Sequence, residues 1–364
     1  MPNPYRSLTP AFLIFAGLAA GASITTFDVP DAGAGVNQGT FPVANNGSGQ
    51  AAGYWVDGNN VFHGFVRAAT GAITTFDGPG AGTSPFQGTA AYGINSTGEM
   101  AGDCIDTHGF VHGFVRSVKG NIVLFSAGQT VVPGDYTLAS TINDLGEIAG
   151  YFQSHLVYHG FLRATDGTIT AFDAPGAGKG TNQGTFPGFG SGLNTSGTLI
   201  GFSIDASSVY HGFLRAADGS FSPVDLPRAG TGIAQGTQPA SINAAGTIVG
   251  DFVNAQGVYR GFLLTASGSL TLFDVPGAGT AKGQGTVPQA INETGAVAGY
   301  YLDANTVYHG FVRTPAGVVQ TFDVPGAGTA TRQGTVAASL NAYGDVAGYF
   351  VDPNNNYHGF VRTP

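Results

Sequence analysis

The feature that most restricts this chain is a unit written seven times. Its clearest string is aromatic-His-Gly-Phe-Val/Leu-Arg, at Phe62–Arg67, Tyr158–Arg163, Tyr210–Arg215, Tyr308–Arg313 and Tyr357–Arg362, with variants at Val111–Arg116 and Tyr259–Leu264. The glycines of these strings, at 64, 113, 160, 212, 261, 310 and 359, are spaced 49, 47, 52, 49, 49 and 49 residues apart. A period in this range marks a repeat architecture, in which each unit buries its apolar faces against its neighbours.

Three further strings keep the same period. Thr-Phe-Asp-x-Pro-Gly-Ala-Gly recurs around Phe27, Phe76, Phe172, Phe273 and Phe322, loosely at Phe125 and Val224. Asn-x-x-Gly begins at Asn46, Asn95, Asn143, Asn194, Asn243, Asn292 and Asn341, and Gln-Gly-Thr at Gln38, Gln87, Gln183, Gln235, Gln284 and Gln333. The repeats fill the chain after residue 22 and leave no linker and no second domain.

Each unit reads as four short strands. In the sixth, the expected strands are 286–292, 296–302, 307–314 and 318–323, rich in Val, Ile, Phe, Tyr and Thr. The turns between them hold Asn, Asp, Gly and Pro, which accept or pre-set turn dihedrals. No stretch keeps a 3.6-residue apolar period, so almost no helix is expected. Four antiparallel strands repeated seven times fit an all-β, seven-bladed β-propeller. Its blades are expected at 38–77, 87–125, 136–173, 183–225, 235–274, 284–323 and 333–363, the last completed by 23–28. A stacked β-solenoid has the same kind of period. The chain ends favour the ring: the repeats open on a fourth-strand sequence, Ile24–Asp28, and close on a third-strand sequence, Tyr357–Arg362. Pairing the two would complete the last blade.

Composition narrows the functional classes. Glycine supplies 60 of 364 residues, yet 42% are apolar and only 10% charged, which excludes a disordered chain. A net charge of −9 with 13 Lys and Arg argues against a nucleic-acid partner. Cys104 is the one cysteine, so an internal disulfide framework is excluded, and it reads as a small buried apolar residue. Residues 1–22 read as a signal peptide: Arg6, a mostly apolar run from Leu8 to Ala20, and a small-residue Ala20-Gly21-Ala22 site that would leave Ser23 first. The mature chain is then expected outside the cytoplasm, extracellular or periplasmic, without stable membrane insertion.

The strings Asn-x-x-Gly-x-x-Ala-Gly and aromatic-His-Gly-Phe-Val-Arg resemble the bacterial "extracellular repeat, HAF family", named for a His-Ala-Phe tripeptide. Here the middle residue is Gly in every copy, and Arg260 stands for His in the fifth. The resemblance covers nearly all of the chain after the leader. It implies an exported bacterial tandem-repeat protein and carries over no catalytic residue.

Residues present in most units read as structural. The recurrent histidines, His63, His112, His159, His211, His309 and His358, lie away from the axis and cannot converge on one ion. The arginines after the Phe are expected to lie over apolar surface or to pair with nearby acids. Asp28, Asp77, Asp173, Asp225, Asp274 and Asp323 are expected on one rim with Asp57, Asp106, Asp205, Asp303 and Asp352. Oxygen-rich loops of this kind bind Ca²⁺ or sugar hydroxyls; bonding to their own turn backbones is the plainer role. No motif requires a cofactor.

A site needing one location should break the pattern in one place. Repeats two and three break it most: Asp103-Cys104 stands where others have pairs such as Tyr-Phe, and the connection between them has lost Gln-Gly-Thr. Asp106, His108, Asp135 and His155 are therefore the candidate metal or polar binding residues. No nucleophile elbow, zinc-protease motif or phosphate loop is present. Glu99, Glu147 and Glu293 all sit at Asn-x-x-Gly turns on the opposite face, so a paired-Glu hydrolase is not indicated. The sequence favours a secreted binding or interaction module whose ligand is a glycan, a cell-envelope component or a protein. The competing classes are a polysaccharide lyase or hydrolase with an Asp-lined axial site, and a purely structural surface component.

Overall fold

The structure, a computed structural model, describes residues 21–128, 136–188 and 191–364. They form 28 β-strands in one closed sheet system, with no helix among the described residues. The sixth repeat shows the unit: Gly285–Ile291, Val297–Leu302, Tyr308–Arg313 and Val319–Phe322, each antiparallel to the next. These bounds fall within two residues of the expected ones, because Gly, Asn and Asp at the ends set the turns.

The third strand of each unit makes a single parallel bridge to the first strand of the following one, as in Tyr308↔Gly334. That glycine needs its missing side chain. Gly334 has φ +115°, and a Cβ there would collide with the Tyr308 carbonyl. First strands of successive units neighbour each other and line the axis. Most carry a one-residue bulge at mid-strand, as between Pro42 and Ala44, which bends the strand and re-aims the extra residue.

The ring closes as the chain ends suggested. Ser23–Phe27 pairs antiparallel with Tyr357–Thr363, from Ser23↔Thr363 to Phe27↔Gly359. Gly39 bridges Tyr357 to join the first and last units.

The core lies between units. The string phenylalanines Phe65, Phe114, Phe161, Phe262, Phe311 and Phe360 are fully buried. Phe27 meets Phe65 edge-on at 6.1 Å, Phe76 meets Phe114 at 6.1 Å, and Phe322 meets Phe360 at 5.9 Å. Each pair joins the fourth strand of one unit to the third strand of the next. Such contacts add about 0.5–1.5 kcal/mol beyond area burial. The arginines complete the layer: Arg67, Arg116, Arg163, Arg215, Arg313 and Arg362 each place a guanidinium 4.6–5.2 Å over the Phe ring of the preceding fourth strand. They cover rings rather than pair with acids.

The Gln-Gly-Thr string also has a local cause. Gln38 Oε1 accepts from Gly35 N at 2.8 Å and its Nε2 donates to Gly58 O, tying the Pro-Gly-Ala-Gly-type loop to the turn beside it. The buried Thr40 hydroxyl accepts from Val29 N at 2.9 Å, and Thr89, Thr185, Thr237, Thr286 and Thr335 repeat that bond.

Candidate functional site

The two ends of the ring carry different chemistry. At one end, the Asn-x-x-Gly turns gather round the axis. Each asparagine Oδ1 accepts from backbone N–H groups of its own turn, as Asn292 does from Thr294 and Ala296. Each Nδ2 then donates to the backbone carbonyl of the asparagine one unit on: Asn46 to Asn95, and so through Asn143, Asn194, Asn243, Asn292 and Asn341 back to Asn46, at 3.0–3.2 Å. The seven buried side chains form one closed hydrogen-bonded circle around an axial cavity of about 260 Å³. The following residue also faces this cavity. Its N–H is capped where the next unit offers an acid: Ser96 N by Asp144, Ala244 N by Glu293.

At the other rim, the first, fourth, sixth and seventh units each bring a second-turn acid, a third-strand histidine and a fourth-strand acid together. His309 lies 2.9 Å from Asp323 through Nδ1 and 3.8 Å from Asp303 through Nε2. His63 does the same with Asp77 and Asp57, and His358 with Asp28 and Asp352. The second-turn acid divides its oxygens: Asp303 Oδ1 accepts from Asn305 N and Val307 N, while Oδ2 faces the imidazole. In the fifth unit Arg260 takes the place of His and pairs with Asp274. The hydrogen bond that the His63 imidazolium donates to Asp77 raises its pKa above the usual histidine value, partly offset by burial. At His211 burial opposes the cation, but the bonds and charges of Asp225 and Asp205 outweigh it, and its pKa is also raised.

Most of these histidines are roofed by a ring from the second strand. Trp55 stacks on His63 at 4.2 Å, Phe152 on His159, Tyr301 on His309 and Phe350 on His358. In the fourth unit the facing residue is Ser203. His211 has a side chain 42% exposed, against 20% for His63 and 22% for His112, which faces Cys104 rather than a ring. A cavity of about 510 Å³ opens there, with Pro175, Ser203, Asp205, His211, Phe221 and Asp225 in its walls. A second, of about 560 Å³, adjoins it across the Ala174–Gly176 loop and is lined by His155, His159, Asp173 and Lys179.

The residues singled out from sequence are thus dispersed. Asp106 and His108 share one turn: Asp106 Oδ1 accepts from His108 N, and the 77% exposed imidazole stands 4.0 Å from the carboxylate. Asp106 is turned toward His112, at 3.5 Å. His155 sits in a different unit, with φ +52°, beside Ser154 Oγ at 3.0 Å. No hydrogen bond or ion pair joins it to the Asp106–His108 turn. Asp135 lies outside the described residues. Among the described residues no group of three or more His, Cys, Asp or Glu side chains is placed to hold a metal ion. Cys104 is fully buried, and burial pushes its thiol up to about 11. The Ser203 cleft and the asparagine circle did not stand out in the sequence reading. The signal for the first is the loss of an aromatic at one repeat position, which carries no charge to draw attention.

No protein-family profile matches the chain, and no curated protein matches it. Solved structures do. Virginiamycin B lyase from Staphylococcus aureus aligns over 94% of this chain and 99% of its own, with TM-score 0.55 and 15% identity. The BP39L lectin from Burkholderia pseudomallei aligns over 89% and 98%, with TM-score 0.56 and 11% identity. The β-propeller domain of the Trilobed protease from Pyrococcus furiosus aligns over 90% and 94%, with TM-score 0.54 and 8% identity. At these identities the likeness defines the fold. The chain is an all-β ring of the β-propeller class.

Proposed function

We propose that the protein is an exported seven-bladed β-propeller acting as a glycan-binding module, with its principal site in the cleft at His211. The observation that carries this reading is the cavity at His211, where Ser203 rather than a ring faces the exposed histidine and the space is large enough for a sugar ring. Sugar recognition calls for a few placed polar groups beside an apolar wall. Asp205, Asp225 and His211 supply acceptors and a donor, and Phe221 and Pro175 supply the wall. The adjoining cavity at His159 extends the cleft toward a second residue of a chain. A lectin among the structural neighbours supports a binding role for this fold. The leader sequence and the likeness of the repeats to the HAF extracellular family support export. Four strands per repeat, with the N-terminal strand completing the last unit, support the seven-blade count.

The test is a glycan array probed with residues 23–364, followed by calorimetry on any hit. Ser203→Tyr, which restores the residue type found at Tyr301, should abolish binding without lowering the melting temperature. Asp225→Asn should weaken it about tenfold. Binding that survives both substitutions would move the site elsewhere, and an array without hits would remove the glycan reading.

A further inference from the structure

Two departures in the second repeat face each other across one strand pair. In five other units this position pairs bulky side chains: Phe41 with Tyr54, Leu138 with Tyr151, Phe186 with Phe202, Val287 with Tyr300 and Val336 with Tyr349; in the fifth it pairs Gln238 with Asp251, so only the second unit has lost bulk on both strands. In the second unit the partners are Ala90 and Asp103. The lost volume is not refilled. A cavity of about 150 Å³ remains, walled by Tyr54, Phe62 and Tyr92 with Asp103 among them.

The three rings make a box. Tyr54 stands edge-to-face with Phe62, 5.9 Å away at 75°, and with Tyr92, 6.1 Å away at 69°. Tyr92 is the bulge residue of its strand, where the register shifts between Ala91 and Gly93, so its side chain is set by the bulge rather than by strand alternation. Its hydroxyl interacts with the Asp103 carboxyl and partly offsets the rise that burial gives that group. Asp103 is 6% exposed. The other titratable groups near it are Tyr54, Tyr136, Tyr151 and Cys104, all of which burial keeps neutral. Among the described residues no Lys, Arg or His pairs with it. Tyr54, Phe62, Tyr92 and Ile105 are only half-buried, so the box is not sealed from solvent.

We propose that this box is a binding site for a small alkylammonium cation. Ring faces attract such cations through their quadrupoles, with Tyr and Phe both effective, and desolvation strengthens the contact. The space equals about five liquid-water volumes, enough for a trimethylammonium head. The carboxylate supplies the single opposite charge that a buried cation requires. This site is separate from the rim cleft and does not depend on it.

Binding must be linked to protonation. Burial raises the empty Asp103 carboxyl to about 7. A bound cation favours the carboxylate, so binding expels a proton below that pH and affinity rises as pH climbs through it. The experiment is calorimetric titration of residues 23–364 with tetramethylammonium chloride, against sodium chloride at equal ionic strength, at pH 5.5 and 8.5. The expected result is saturable binding of the organic cation alone, about tenfold or more tighter at pH 8.5. Asp103→Asn should abolish it while keeping the shape, and Ala90→Phe should abolish it by filling the box. Where Ala90→Phe fails to fold, Ala90→Val gives the smaller filling seen at Val287. No saturable binding, equal binding of sodium, or binding unchanged in Asp103→Asn would overturn the proposal.

Discussion

The side-chain amide of Asn341 donates 3.0 Å to the backbone carbonyl of Asn46, across 295 positions of sequence. That bond joins the last repeat to the first and makes the axial asparagine circle continuous. The strand pairing of Ser23–Phe27 with Tyr357–Thr363 closes the same ring at its outer edge. Closure is therefore made twice, at the inner and outer ends of one unit.

Asn341 also organises its own turn, accepting from Tyr343 N and Asp345 N at 2.9 Å. Asn341→Ala removes these bonds and leaves buried polar groups unpaired, at about 1–3 kcal/mol for each such group. We expect a loss of about 2–4 kcal/mol in urea unfolding. Asn341→Asp keeps the acceptor but turns a second oxygen toward the Asn46 carbonyl. Its deficit should shrink at low pH, where a protonated carboxyl can donate. A deficit independent of pH would separate the circle from stability.

Deleting residues 23–28 should be costlier than its length suggests. It unpairs the edge of Tyr357–Thr363, uncovers Phe65 by removing Phe27, and removes Asp28 from His358. An open hydrophobic strand edge is also an aggregation template. The expected outcome is a melting temperature lower by more than about 10 °C and self-association on size exclusion. Addition of a peptide spanning residues 23–28 should restore both in part.

Much of this was legible in the sequence because a repeated architecture repeats its evidence. Strand limits, turns and the closing strand follow from the period and from Gly, Asn and Asp at fixed offsets. The rim of acids was legible too, since strand direction sorts Asp303 and Asp323 to one end. The asparagine circle was not. Asn-x-x-Gly reads as a turn signal, which it is, and nothing local says that the Nδ2 of Asn292 reaches Asn341 O. The cleft was missed for a different reason. Charged arrivals such as His108 and Asp106 stand out in a repeat, whereas Ser203 marks the cleft only by a missing ring, which Cys104 also lacks without exposing its histidine.

One departure is explained by its partner. In the fifth unit Leu264 stands where the others have arginine, and Val224, just after the preceding fourth strand, stands where the others have phenylalanine. The guanidinium and its ring are absent together, as expected if each is useful only with the other. Leu264→Arg and Val224→Phe made together should show a favourable coupling of about 0.5–2 kcal/mol in a double-mutant cycle. Additive effects would mean that the arginines are held by something other than the rings.

Asp251 makes the stability of the ring depend on pH. It occupies the second-strand position of Tyr300 and Tyr349, it is buried, and its Oδ2 has no hydrogen-bond partner. Burial alone raises its carboxyl to about 8. The folded state then holds a proton that the unfolded chain releases above its ordinary value near 4. Stability from this group is fully present below pH ~4 and declines as pH rises toward 8, by at most about 1.4 kcal/mol per pH unit. Asp103 adds the same sign up to about 7. His63 and His211, with raised values, lose their contribution as pH passes upward through the folded pKa, again with the same sign. The measurement is the urea midpoint from pH 5 to 9 for the wild type, Asp251→Asn and Asp251→Tyr. Both variants should flatten the decline between pH 5 and 8 without abolishing it, and the tyrosine should be more stable than wild type at pH 8. A decline as steep in Asp251→Asn as in the wild type would mean that the carboxyl finds a partner or water in solution and ionises normally.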